Sequence, residues 1–151
     1  MPQLGLSNSS TKGKVFAPRI YYYETFDSGT GGYSTQDAAL LNSSNTLRVT
    51  VDEDEGYAHK AVTVIPSTKY YYRVRMAGIQ AGGGDKFFMI GTGAGDDTFV
   101  GVTTNSTGTY SGSFTTGGST TAVTISLMVS NSGKYAKWDD ILIETYDDQD
   151  V

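Results

Sequence analysis

Tyr70-Tyr71-Tyr72-Arg73-Val74-Arg75-Met76 sets Tyr70, Tyr72, Val74 and Met76 on one side of an extended chain and Tyr71, Arg73 and Arg75 on the other. That is the period-2 pattern of a strand with one face in a core and one in water. The same alternation recurs downstream, with Val123, Ile125, Leu127 and Val129 interleaved by Thr124, Ser126, Met128 and Ser130. Leu47, Val49 and Val51 repeat it upstream. Working outward, strands are expected near Ile20–Phe26, Thr46–Val51, Tyr57–Ile65, Tyr70–Gly78, Lys86–Ile90, Thr98–Thr103, Tyr110–Thr115, Ala122–Ser130 and Lys137–Tyr146. Turn-forming clusters separate them, among them Asp52–Gly56, Ala81–Asp85, Gly93–Asp97 and Gly117–Thr120. Only Ser34–Leu41 reads as a short helix, with Ser34 as its cap. About nine half-buried strands predict an all-β fold: an antiparallel two-sheet jelly-roll β-sandwich with an extended N-terminal arm. The expected division is an arm over residues 1–19, a sandwich over 20–147 and an acidic tail over 148–151.

Composition supports one such domain. Gly, Ser and Thr fill 54 of 151 positions, as turn-rich β proteins require, while 11 Tyr and 6 Phe supply a core that a disordered chain lacks. A net charge of −5 argues against a nucleic-acid binder, which needs a basic surface. No apolar run approaches the ~20 residues of a membrane helix, and membrane insertion is not expected. With no Cys, thiol nucleophiles, disulfides and Cys-type zinc sites are excluded. The first thirteen residues show no basic-then-apolar leader pattern.

Catalytic readings fare poorly. Asp139 and Asp140 are adjacent, so a regular strand would point them to opposite faces and deny them a shared substrate. His59 is the single histidine, and no Gly-x-Ser-x-Gly elbow accompanies it. Gly91-Thr92-Gly93-Ala94-Gly95 precedes a strand-like segment rather than a helix, so a hairpin turn is expected there in place of a phosphate cradle. Asp52-Glu53-Asp54-Glu55 lacks EF-hand spacing. No enzyme is expected. Tyr71 with Arg73 and Arg75 forms the best polar-aromatic face, suited to a glycan or a protein partner. Tyr57, Tyr110 and Trp138 are further aromatic candidates for stacking on sugar rings, with burial in the core as the commoner fate of a lone Trp.

Thr63–Ala77 resembles a recurring stretch of the carbohydrate-binding modules grouped with family 4, in which a Tyr-led strand follows Pro-Gly; here Ser67 stands in place of the Gly. Gly108–Thr115, Val123–Leu127 and Tyr135–Ile143 resemble the end of such modules, and Phe26-Asp27-Ser28-Gly29 resembles their opening. The resemblance implies a β-sandwich, a polysaccharide ligand, and a structural Ca²⁺ held by Asp27 together with Asp139 or Asp140; no cofactor is otherwise required. A second resemblance lies at the N-terminus. Leu4-Gly5-Leu6 followed by Thr11-Lys12-Gly13-Lys14-Val15 looks like the start of bacteriophage virion structural proteins. It implies a capsid decoration or cement protein on the virion surface, gripping the major capsid protein or sister copies through Leu4, Leu6, Tyr71, Arg73 and Arg75. Such a protein would be a homo-oligomer, a trimer among the options, with weak binding to a cell-surface glycan. The alternatives are an extracellular carbohydrate-binding module and a tail or fibre component.

Overall fold

The computed structural model describes residues 15–149 apart from residue 83. Eleven strands form two antiparallel sheets, and among the described residues there is no helix. They are β1 (Val15–Glu24), β2 (Ser34–Gln36), β3 (Ala38–Asn42), β4 (Leu47–Val51), β5 (Glu55–Thr63), β6 (Lys69–Ile79), β7 (Lys86–Gly91), β8 (Val100–Thr104), β9 (Gly108–Thr115), β10 (Ala122–Ser130) and β11 (Tyr135–Gln149). The six-stranded sheet runs β3-β4-β11-β6-β9, with β1 also paired to β11; the five-stranded sheet runs β2-β5-β10-β7-β8. All nine expected strands are present, and the fold is the two-sheet jelly-roll sandwich that the alternation predicts.

Three local expectations are corrected. Ser34–Leu41 is not a helix but two short strands in different sheets: β2 pairs with β5 and β3 with β4. Asp37 between them sits at φ 51°, a left-handed residue that turns the chain from one sheet to the other. Its carbonyl accepts the amide of Asp52, and edge pairing outweighs the helix propensity of Ala38-Ala39-Leu40-Leu41. Next, β1 begins at Val15 within the span read as arm, and β11 continues to Gln149 within the span read as tail. Val15 pairs with Gln149 and Pro18 with Tyr146, so backbone hydrogen bonding carries the sheet into both of these spans. Third, Asp139 and Asp140 do not lie on opposite faces, for the reason given below.

The core is the interior that alternation assigns. Trp138, Tyr70, Phe26, Phe88, Leu47, Met76, Ile125, Leu127, Ile141 and Ile143 are all fully buried. Tyr72 of β6 stacks on Phe88 of β7 with centroids 5.5 Å apart and ties the two sheets together, while Tyr70 stacks on Phe114 of β9, its neighbour in the same sheet, at 5.5 Å. The inward residues of β6 therefore anchor its outward residues on a rigid base.

Candidate functional site

Because Tyr70, Val74 and Met76 are locked in the core, Lys69, Tyr71, Arg73 and Arg75 stand on the outer face of the six-stranded sheet. On β11, Trp138 and Ile141 point inward, and between Asp139 and Leu142 the strand gains a residue: Asp139 pairs with Arg75 and Leu142 with Arg73. Asp140, at φ 53°, is part of this bulge. The extra residue turns both carboxylates toward the arginines of β6. Asp139 pairs with Arg75, and Asp140 accepts from Arg73 Nη2 at 3.0 Å and from the Tyr23 hydroxyl at 2.9 Å. Burial alone would raise the Asp140 pKa, but hydrogen bonds from Tyr23 and Arg73 hold it below the usual carboxylate range. The same hydrogen bond raises the Tyr23 hydroxyl. These pairs are part-exposed, so their service is orientation more than stability.

Beside them, a groove of about 380 Å³ opens over β9, β6 and β11. Leu142 lies in it, and Tyr71, Arg73, Ser111, Ser113 and Glu144 line it. Tyr71 packs edge-on against Tyr146 with centroids 5.1 Å apart, and the Tyr146 hydroxyl donates to Glu144 Oε1 at 3.0 Å. That hydrogen bond raises the Tyr146 hydroxyl. The large apolar or aromatic side chains exposed among the described residues are Ile20, Tyr23, Leu41, Ile65, Tyr71 and Tyr146. The strand registers place all but Ile65 on this one face. Exposed apolar and aromatic side chains gathered on one face make that face the candidate binding surface. Chemically, the groove offers aromatic rings for the apolar faces of sugars, with serine hydroxyls, a guanidinium and a carboxylate for their hydroxyl groups.

The other sequence candidates are placed elsewhere. Trp138 is fully buried with its indole N–H unpartnered, so it is a core residue and cannot stack on a ligand. Tyr110 is tied by its hydroxyl to Thr104 Oγ1 at 2.6 Å and to the Ser106 carbonyl at 2.7 Å, on the inward side of β9. Tyr57 belongs to the other sheet, bonded to Gln36 and beside the His59 ring. Asp27 accepts from Thr25 Oγ1 at 2.7 Å, while Asp139 and Asp140 are occupied by arginines. The carboxylates implied as calcium ligands are thus not brought together, and among the described residues no group of three or more His, Cys, Asp or Glu is arranged to hold a metal ion. The carbonyls of Phe26, Gly29 and Gly31 instead accept from Asn42 Nδ2 (2.5 and 2.7 Å) and Lys60 Nζ (2.7 Å). Leu4 and Leu6 lie outside the described residues. Gly91–Gly95 leads into an Asp96-centred turn between β7 and β8, in agreement with the hairpin reading.

Sequence reasoning missed Tyr23, Ser111, Ser113, Leu142, Glu144 and Tyr146. A signal for the last three was present: Leu142, Glu144 and Tyr146 follow period 2 along the final strand. Their meeting with Tyr71 depends on the β11–β6 register, which includes the bulge.

No protein-family model matches the sequence, and no curated protein matches it. Solved structures match it in fold. The chain is similar to the CBM22-1 xylan-binding domain of Paenibacillus barcinonensis Xyn10C, with 13% identity, 85% of this chain and 96% of that chain covered, and a TM-score of 0.62. It is similar to TmCBM61, solved with β-1,4-galactotriose, at 12% identity with 83% and 97% covered and a TM-score of 0.58. The C-terminal family 22 module of Clostridium thermocellum Xyn10B matches at 14% identity, with 87% and 95% covered and a TM-score of 0.55. At such identities the shared property is the sandwich itself.

Proposed function

We propose that this protein is a non-enzymatic glycan-binding module that holds a polysaccharide across the outer face of its six-stranded sheet. The groove lined by Tyr71, Arg73, Ser111, Ser113 and Glu144 carries this reading. Tyr71 and Tyr146 supply the stacking surface, and Arg73 is oriented for hydrogen bonding by Asp140. The similarity in fold to sugar-binding modules supports the same reading. Among the described residues Glu144 is the one carboxylate lining the groove, and Asp139 and Asp140 beyond it are engaged by arginines, which supports binding without hydrolysis. Affinity electrophoresis against a panel of polysaccharides tests the proposal. At least one should retard the protein, and Tyr71→Ala should weaken that binding roughly tenfold or more, the loss of a central aromatic anchor. Retardation by none, or an unaffected Tyr71→Ala variant, refutes it.

A second reading places the module on a virion surface, with Ile20, Tyr23 and Leu41 meeting a shell protein or sister copies. It is favoured by the exposure of these three side chains on one face. Sedimentation of the protein with purified particles tests it, and absence from the particle fraction refutes it.

A further inference from the structure

Among the described side chains, the groove face has a charge opposite to that of the molecule. The chain carries −5, yet five of its eleven Lys and Arg stand on this face: Arg48, Lys69, Arg73, Arg75 and Lys137. The carboxylates facing them among the described side chains are Asp139, Asp140 and Glu144. Asp139 and Asp140 neutralise Arg75 and Arg73, and Glu144 sits at the aromatic end beside Tyr146. Arg48, Lys69 and Lys137 have no carboxylate partner among the described residues. They are held in place by other means. Arg48 lies over the Tyr135 ring at 4.0 Å, Lys69 Nζ is 5.3 Å from the Tyr71 centroid, and the Lys137 stem lies across Gly78. A β-carbon at Gly78 would sit 3.2 Å from Lys137 Cδ, so the absence of a side chain there lets this cation lie along the sheet.

The arrangement has direction. Lys69, Tyr71, Arg73 and Arg75 alternate along β6, a ladder of roughly 20 Å at the usual strand rise. Lys137 and Arg48, paired across β11 and β4, continue it past Arg75. One end is therefore an aromatic platform and the other a cationic strip, both on one face.

We infer that the ligand of this face is a polyanionic glycan, whose sugar rings stack at Tyr71 and Tyr146 while carboxylate or sulfate substituents meet Lys69, Lys137 and Arg48. This rests on the glycan reading above and narrows its substrate class. The basic face on an acidic molecule would orient such a ligand on approach and repel it elsewhere.

The experiment compares binding of the wild-type chain to polygalacturonate, chondroitin sulfate, neutral arabinoxylan, neutral β-glucan and a single-stranded oligonucleotide. Each is measured from about 0.01 M to about 1 M salt, where the Debye length falls from about 30 Å to about 3 Å. At low salt an anionic glycan should bind about tenfold or more tightly than either neutral one, and the advantage should vanish at high salt. Polygalacturonate and chondroitin sulfate separate carboxylate from sulfate recognition. A Lys69→Gln/Lys137→Gln variant, which keeps both aliphatic stems, should lose most of that advantage and keep its affinity for neutral glycans. Neutral glycans bound as well as anionic ones, without salt dependence, would overturn the inference and leave the glycan-binding reading standing. Oligonucleotide binding equal to the best glycan would overturn it in favour of unselective polyanion capture. Binding to no glycan at all would remove both.

Discussion

Asp96 shows how a single part-exposed carboxylate can organise a loop. Its two oxygens accept from the Thr92 amide at 2.7 Å, the Thr92 hydroxyl at 2.8 Å, the Thr98 hydroxyl at 2.8 Å and the Thr98 amide at 3.2 Å. These hydrogen bonds, the Thr92 amide first, lower its pKa from 3.8 to about 2. A depressed carboxylate contributes stability in full above its unfolded value and loses it as pH falls through the folded one, so the window runs from about pH 4 down to about pH 2. Titration of the Asp96 carboxyl carbon by NMR should give a midpoint near 2, returning toward the ordinary value in a Thr92→Val/Thr98→Val variant; an ordinary midpoint in the wild type would contradict these contacts. Asp96 was legible only as a turn residue, because the sequence does not show which donors a turn will aim at it. Trp138 is a different case. Its position before Asp139-Asp140 left a stacking site readable beside the commoner core position, and the inward orientation of Trp138 on β11 decided for the core.

At the scale of elements, the strands follow from alternation, whereas two single-residue irregularities depend on neighbours far along the chain. The β11 bulge places Asp139 and Asp140 on one face, against the period-2 expectation, because the strand must match β6 on both sides of the extra residue. The crossover at Asp37 is the other. It works because β5 passes very close to it: a β-carbon on Gly56 would lie 2.1 Å from the Asp37 carbonyl oxygen, which is backbone and cannot yield as a flexible side chain can. Gly56→Ala should therefore cost about 1–3 kcal/mol through forced displacement of β2 or β5, measured by urea denaturation. Gly133→Ala offers a comparison: Gly133 is a turn glycine at φ 74° with open space around it, so its cost should be conformational and smaller, about 1 kcal/mol. An unchanged midpoint for Gly56→Ala would refute the close approach.

For the whole molecule, two sheets without disulfides must be held by their shared interior. Phe88 lies at its centre, fully buried on β7 and stacked on Tyr72 of β6. Phe88→Ala should cost about 3–5 kcal/mol and lower Tm by roughly 10 °C, read by calorimetry. A drop of only a degree or two would mean that the sheets do not depend on this contact. The outer face should then be separable from the core: Tyr71→Ala, designed to remove binding, should leave Tm within a few degrees because Tyr71 is part-exposed.

The sequence by itself determined the class of fold, the nine principal strands, the buried identities of β6 and β10, and the exposure of Tyr71, Arg73 and Arg75. These are local properties: period 2 and burial of apolar area leave few other solutions for a chain of this composition. Tertiary structure alone decided that Ser34–Leu41 divides between two sheets, and that Tyr23, Leu142, Glu144 and Tyr146 join Tyr71 around one groove. It also decided that the neighbouring aspartates hold arginines rather than lie on opposite faces. Each depends on strand order and register, which are set by pairing between residues far apart along the chain, as Val15 and Gln149 are. Spacing along a chain carries no record of such partners; only the closed sheets bring them into contact.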